Sequence, residues 1–134
     1  MTYCVAMRLK AGLLFAPDTR TNAGVDHVAS FRKMHLFHTP HQREIVLLSA
    51  GNLATTQSVV SLLQRACQED AGQHMLKVGS LYEGAELVGR TLKAVVARDC
   101  DAQGGLSQGV DFGANFLLGG QIREREQDRF EITN

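Results

Sequence analysis

The sequence predicts an α+β domain with strands first and helices after, and three observations carry that reading. Apolar and polar residues alternate with a period of two before Asn52, the period lengthens to that of a helix after it, and Ser80 opens a second helix with a capping box. Thr2 to Leu9 sets Tyr3, Val5, Met7 and Leu9 against Thr2, Cys4, Ala6 and Arg8, a strand pattern. Lys10-Ala11-Gly12 reads as a turn and Leu13 to Ala16 as a second strand, so the two form a hairpin closed by Pro17-Asp18. Thr19 to Asp26 has loop composition. Phe31 to Phe37 alternates again and ends before Thr39-Pro40, and Glu44 to Ser49 is an apolar run suited to a buried strand.

From Asn52, an expected N-cap, Val59, Val60, Leu63, Ala66 and Cys67 fall on one helical stripe with Gln57, Ser61, Gln64 and Gln68 opposite. Ser80-Leu81-Tyr82-Glu83 starts the next helix, in which the Ser80 hydroxyl accepts from the third residue's amide and Glu83 reaches back to the Ser80 amide. Its stripe is Leu81, Ala85, Val88, Leu92, Val95 and Val96, and Asp99 to Gly105 ends it as a loop. Asn115 to Ile122 reads as one closing strand carrying Gly119-Gly120, and Arg123 to Asn134, with seven charged side chains, as a solvated tail. Strands, two helices and a lone strand make half of a layered sandwich.

With 134 residues, 44% of them hydrophobic, the chain fits one domain. Fourteen basic side chains balance fourteen acidic ones, which gives no electrostatic footprint for nucleic acid or an anionic membrane surface. No apolar run approaches the ~18 residues of a membrane span, and Arg8 interrupts the N-terminus before a secretory h-region forms. Cys4, Cys67 and Cys100 are too few and too scattered for a disulfide framework, so a reducing, cytoplasmic setting is expected.

Few residues suggest chemistry on their own. Thr2 follows the initiator methionine, which is commonly removed before so small a residue. A mature N-terminal threonine carries a hydroxyl nucleophile and an α-amine of pKa about 7.7–8.0 able to serve as its base. Small residues at position two are also common without consequence. Lys33 sits on a strand with Phe31, His35 and Phe37, and strand lysines usually snorkel to water. If that face is buried, the ammonium needs a carboxylate, and Asp18 is available. His35, His38 and His41 form an H-x-x-H-x-x-H run, but i and i+3 point oppositely on a strand and Pro40 interrupts it, which favours a loop-rim cluster over a metal site. Cys4 beside a histidine would be a nucleophile, yet a cysteine in a first strand is more often simply buried. No glycine pattern supports nucleotide binding. The amide at Gly51, between a strand and a helix start, can bind a developing oxyanion, and a plain turn explains that glycine equally well.

Taken in order, Met1-Thr2-Tyr3-Cys4-Val5-Ala6-Met7, Phe15-Ala16-Pro17-Asp18-Thr19-Arg20-Thr21-Asn22-Ala23-Gly24-Val25-Asp26, Ser30-Phe31-Arg32-Lys33-Met34, Leu47-Leu48-Ser49-Ala50-Gly51-Asn52-Leu53-Ala54-Thr55-Thr56-Gln57 and Phe116-Leu117-Leu118-Gly119-Gly120-Gln121-Ile122 resemble the proteasome superfamily. Within it they are similar to the bacterial ancestral-beta-subunit (Anbu) family. The resemblance implies a four-layer αββα N-terminal-nucleophile sandwich, here incomplete, that hydrolyses peptide bonds without a cofactor or metal. It further implies Thr2 as nucleophile, its own α-amine as base, Lys33 as a charge biasing that amine, Asp18 as the partner holding Lys33, and the Gly51 amide as oxyanion donor. Expected partners are a peptide or unfolded-protein substrate and further copies of the chain in a ring or spiral, with neither nucleic acid nor membrane.

Residues 1–122 are expected to form the N-terminal part of a proteasome beta-subunit-like domain and 123–134 a charged tail departing from the family. Family members continue for roughly another half-domain, with serine and aspartate residues that support the threonine amine. The alternatives are a non-catalytic self-assembling subunit and an inactive gene fragment.

Overall fold

The computed structural model describes residues 2–19, 31–102, 111–124 and 127–133. Strands β1 (Cys4–Leu9) and β2 (Gly12–Pro17) pair antiparallel in a hairpin, with Cys4 opposite Pro17 and Leu9 opposite Gly12. Strands β3 (Met34–Thr39) and β4 (Arg43–Gly51) follow, then helices α1 (Leu53–Gln68) and α2 (Leu81–Ala102), then β5 (Ala114–Glu124) and β6 (Gln127–Thr133). The last four strands form one antiparallel sheet in the order β3-β4-β5-β6.

Strand β4 is the hub of this sheet. It pairs with β3 on one side and with β5 along its full length on the other. Ile45 and Leu47 are fully buried against Val59, Val60 and Leu63 of α1 and Leu81, Val88 and Val95 of α2. Each side chain so buried contributes roughly 1.5–3 kcal/mol. By the strand period Leu48, equally buried, projects from the opposite face, the side on which β1 lies against β4, β5 and β6. The described residues therefore form three layers: a hairpin, a four-stranded sheet and a helix pair.

Both helix starts have local causes. The Asn52 side chain accepts from the Thr55 amide at 3.0 Å, and the Ser80 hydroxyl accepts from the Glu83 amide at 3.2 Å. The Glu83 carboxylate does not complete the reciprocal bond expected to Ser80; it accepts from the Gly79 amide, one residue earlier, at 2.8 Å. Between the helices, Met75 and Val78 are fully buried beside His74, whose Nδ1 accepts from the Leu76 amide while Nε2 lies 2.8 Å from Asp70.

Three expectations change. The segment after Arg123 is not wholly a solvated tail, because β5 runs to Glu124 and β6 pairs with it from Leu118 opposite Thr133 to Glu124 opposite Gln127. Long charged side chains are compatible with a strand when their aliphatic stems lie along it, and the charge density of 123–134 concealed that option. Helix α2 continues to Ala102, past the Asp99 at which a loop was expected. Strand β3 starts at Met34 rather than Phe31. The loop expected over Thr19 to Asp26 lies, beyond Thr19, outside the described residues.

Two features make testable demands. A Cβ on Gly120 would collide with the backbone of Glu44 and Ile45 in β4, so Gly120→Ala is expected to destabilise the chain by about 2 kcal/mol or more in urea unfolding. The outer surfaces of β1 and β3, with Tyr3 just ahead of β1, expose apolar residues, Tyr3 at 73% and Leu36 at 60%, together with Met7, Leu9 and Met34. Sedimentation is expected to show concentration-dependent association, and Leu9→Glu with Leu36→Glu to suppress it.

Candidate active site

Asp18 follows directly on β2, where its amide donates to the Tyr3 carbonyl at 2.7 Å and so fixes the chain beside Thr2. Lys33 directly precedes β3, and its carbonyl accepts from the Ser49 amide at 2.9 Å, extending the β3–β4 ladder by one bond. These backbone anchors bring Lys33 Nζ to 2.6 Å from Asp18 Oδ1. The lysine is only 8% exposed. A buried ammonium without an anion would be very costly, so the pair is a condition of burying Lys33. The hydrogen bond from Lys33 holds the Asp18 carboxyl below its usual range, partial desolvation opposes this, and the lysine's charge adds to the lowering.

Thr2, Lys33 and Gly51 line one cavity of about 280 Å³ at the end of the sheet where α1 begins. Its remaining walls are Phe31, Arg32 and His35 from the β3 side, Ser49 and Ala50 from β4, and one face of α1. Gly51 has φ +107, and a Cβ there would lie 2.6 Å from the Gly113 carbonyl. Asn52 ties the same segment down, its amide donating to the Gly113 carbonyl and its side chain to the Asp111 carbonyl, both at 2.9 Å. A residue that must be glycine thus forms part of the cavity wall.

The structure separates the three histidines. His35 is half-buried in this cavity, and burial pushes its pKa below the ordinary value, favouring the neutral ring. His38 pairs with Glu44 at 3.2 Å, and His41 sits in the β3–β4 turn at φ 59. Both line a separate polar cavity with Arg43 and Arg123. Among the described residues no three His, Cys, Asp or Glu side chains converge as metal ligands. Cys4 Sγ donates weakly to the Ser49 carbonyl at 3.9 Å. Burial first, and the Asp18 charge second, push the Cys4 thiol up, so it is a poor thiolate nucleophile.

The sequence predicts α1 but does not show that one of its faces belongs to the site. Gln57, Ser61 and Gln64, set opposite the buried stripe, are exposed and line the same cavity as Thr2. A signal was present: Leu53 to Gln64 contains no charged residue, unusual for the outward face of a helix.

The electrostatics predict a two-step acid sensitivity. Unfolded His35 takes up a proton below its ordinary pKa of 6.5, whereas the buried ring resists it, so stability falls as pH drops from there. Stability falls again below the ordinary carboxylate value of 3.8, where unfolded Asp18 protonates while folded Asp18 is still held ionised by Lys33. Urea unfolding across pH is expected to lose the upper step in His35→Gln and to show a weaker lower one in Asp18→Asn, the remainder coming from Asp70, which Lys77 and His74 also hold below its ordinary value. An unaltered acid limb in Asp18→Asn would contradict the ion-pair account.

The sequence matches no protein-family model and no curated protein. Solved structures do match it. Anbu (ancestral beta-subunit) from Yersinia bercovieri is 51% identical with a TM-score of 0.79, over 98% of this chain and 52% of that one. The helical assembly of the Anbu complex from Pseudomonas aeruginosa gives 48% identity and a TM-score of 0.81, over 91% of this chain and 48% of that one. Anbu from Hyphomicrobium sp. strain MC1 gives 38% and 0.76, over 98% and 52%. The fold is therefore the proteasome-like N-terminal-nucleophile fold, with the described layers making up part of its sandwich. In identity and fold the chain is therefore similar to the Anbu (ancestral beta-subunit) proteins, and it spans about half the length of the solved Anbu chains it matches.

Proposed function

We propose that the chain is built as an N-terminal threonine peptidase acting on peptide bonds. The observation that carries this reading is that Thr2, Lys33 and Gly51 line one cavity, with Asp18 paired to Lys33 at 2.6 Å just outside it. Removal of Met1 leaves Thr2 with a free α-amine, which an amide at that position could not replace as a base. Thr2 Oγ attacks the scissile carbonyl carbon, forming the O–C bond, and the hydroxyl proton passes to the α-amine directly or through water. The carbonyl π electrons move onto oxygen, where the Gly51 amide is the proposed donor; one such donor contributes on the order of 2.7–4 kcal/mol in acyl transfer. Collapse breaks the C–N bond, and the ammonium returns its proton to the leaving amine. Water then adds to the Thr2 ester and breaks it, releasing the acid and regenerating the hydroxyl. The positive charge of Lys33 disfavours the protonated amine, and Asp18 holds Lys33 in position.

A second reading, a non-catalytic assembling subunit, is favoured by the exposed apolar surfaces of β1 and β3 and by the helical assembly of the Pseudomonas aeruginosa relative. Homo-oligomer formation suits both readings.

Intact-mass spectrometry is expected to find Met1 absent, and a threonine-reactive β-lactone to add its mass once. Thr2→Ala should abolish the adduct, and Lys33→Met should slow its formation by about 10²-fold. Retained Met1, or an adduct that persists in Thr2→Ala, would favour the assembly reading.

A further inference from the structure

The cavity beside Thr2 has an uneven chemistry. Its described lining contains no carboxylate. It does contain the guanidinium of exposed Arg32, the half-buried ring of His35, the Gln57 and Gln64 amides and the Ser61 hydroxyl, against the apolar surfaces of Phe31 and Val60. Carboxylates near its border are already engaged: Asp18 holds Lys33 at 2.6 Å, and Asp111 Oδ1 accepts from the Gly113 amide at 2.7 Å. A cation entering would meet Arg32 and Lys33, and among the described residues the neighbouring carboxylate, Asp18, is already committed to Lys33. An anion would meet a guanidinium able to form charge-assisted hydrogen bonds and neutral donors on α1. The volume, about 280 Å³, suits one side chain rather than a folded segment.

Building on the peptidase reading, we propose that this cavity receives the substrate side chain next to the scissile bond, selects an acidic one and rejects lysine and arginine, with Arg32, Gln57 and Gln64 as the discriminating groups. Phe31 and Val60 pack against the aliphatic stem of a glutamate, whose carboxylate reaches toward Arg32 and the α1 amides. Glutamine keeps the acceptor and loses the charge, so it ranks between glutamate and leucine.

The test separates selectivity from catalysis. Acetylated tripeptide amides differing only in a last residue of Glu, Gln, Leu or Arg are titrated into the full chain and into Thr2→Ala, with NMR of the backbone amides of α1 as readout. The glutamate peptide is expected to bind at least about 10-fold more tightly than the arginine peptide. Arg32→Gln should remove about 10-fold of glutamate affinity while leaving leucine unchanged, and Gln57→Leu with Gln64→Leu should narrow the glutamate–leucine gap. Leucine or arginine binding as tightly as glutamate, an unaltered order in Arg32→Gln, or no binding by any peptide overturns the proposal. The β-lactone adduct on Thr2 reports separately: the expected binding order without an adduct removes the peptidase reading alone, and an adduct with a flat binding order removes the selectivity alone.

Discussion

Burying an ammonium is the constraint around which this molecule is arranged. Lys33 lies at the start of the four-stranded sheet and Asp18 at the end of the hairpin, so their 2.6 Å contact joins the two sheets at one corner. The backbone is committed to the same junction, with Asp18 bonded to the Tyr3 carbonyl and Lys33 to the Ser49 amide. The ion pair is thus less an added interaction than a condition on how the layers meet. Removing one partner leaves a charge where water cannot fully replace it, and such losses exceed those of exposed pairs. Thr2, one residue before Tyr3, inherits its position from that junction.

Much of the fold was legible because local rules agreed with the global arrangement. The alternation in Cys4–Leu9, the Asn52 cap and the stripe through Val59, Val60 and Leu63 each identified an element that the structure contains. Misreadings occurred where one composition serves two environments. The charges of 123–134 suit a tail or a strand, and pairing with β5 decided between them. The Gln57-Ser61-Gln64 face is exposed, as its place opposite the buried stripe predicts, and the tertiary position of α1 makes that exposed face a wall of the Thr2 cavity. Glu83 shows the same limit at smaller scale, since a capping box predicts a carboxylate turned back along the chain without saying which amide it meets.

The candidate site was legible differently. Spacing alone left Lys33 a surface lysine and Asp18 a turn aspartate. Their family resemblance joined them, and the geometry supplies the physical reason, burial of the lysine. Gly51 was ambiguous in sequence between a turn and a donor. Its φ of +107 and close approach to Gly113 give a steric reason for glycine that holds whether or not the amide serves an oxyanion.

That approach also has a kinetic consequence. The floor of the cavity depends on Asn52 reaching Asp111 and Gly113, partners about sixty positions away in the chain, the side-chain bond spanning 59 residues. Loop closure over such a distance is slow relative to forming a hairpin or a capped helix. A nascent species holding β3, β4 and α1 would already possess the strand end and the helix start, yet Gly51 would have nothing to press against. The cleft is then among the last parts of the molecule to take shape, completed only when β5 has zipped along β4 and carried residues 111–113 into place.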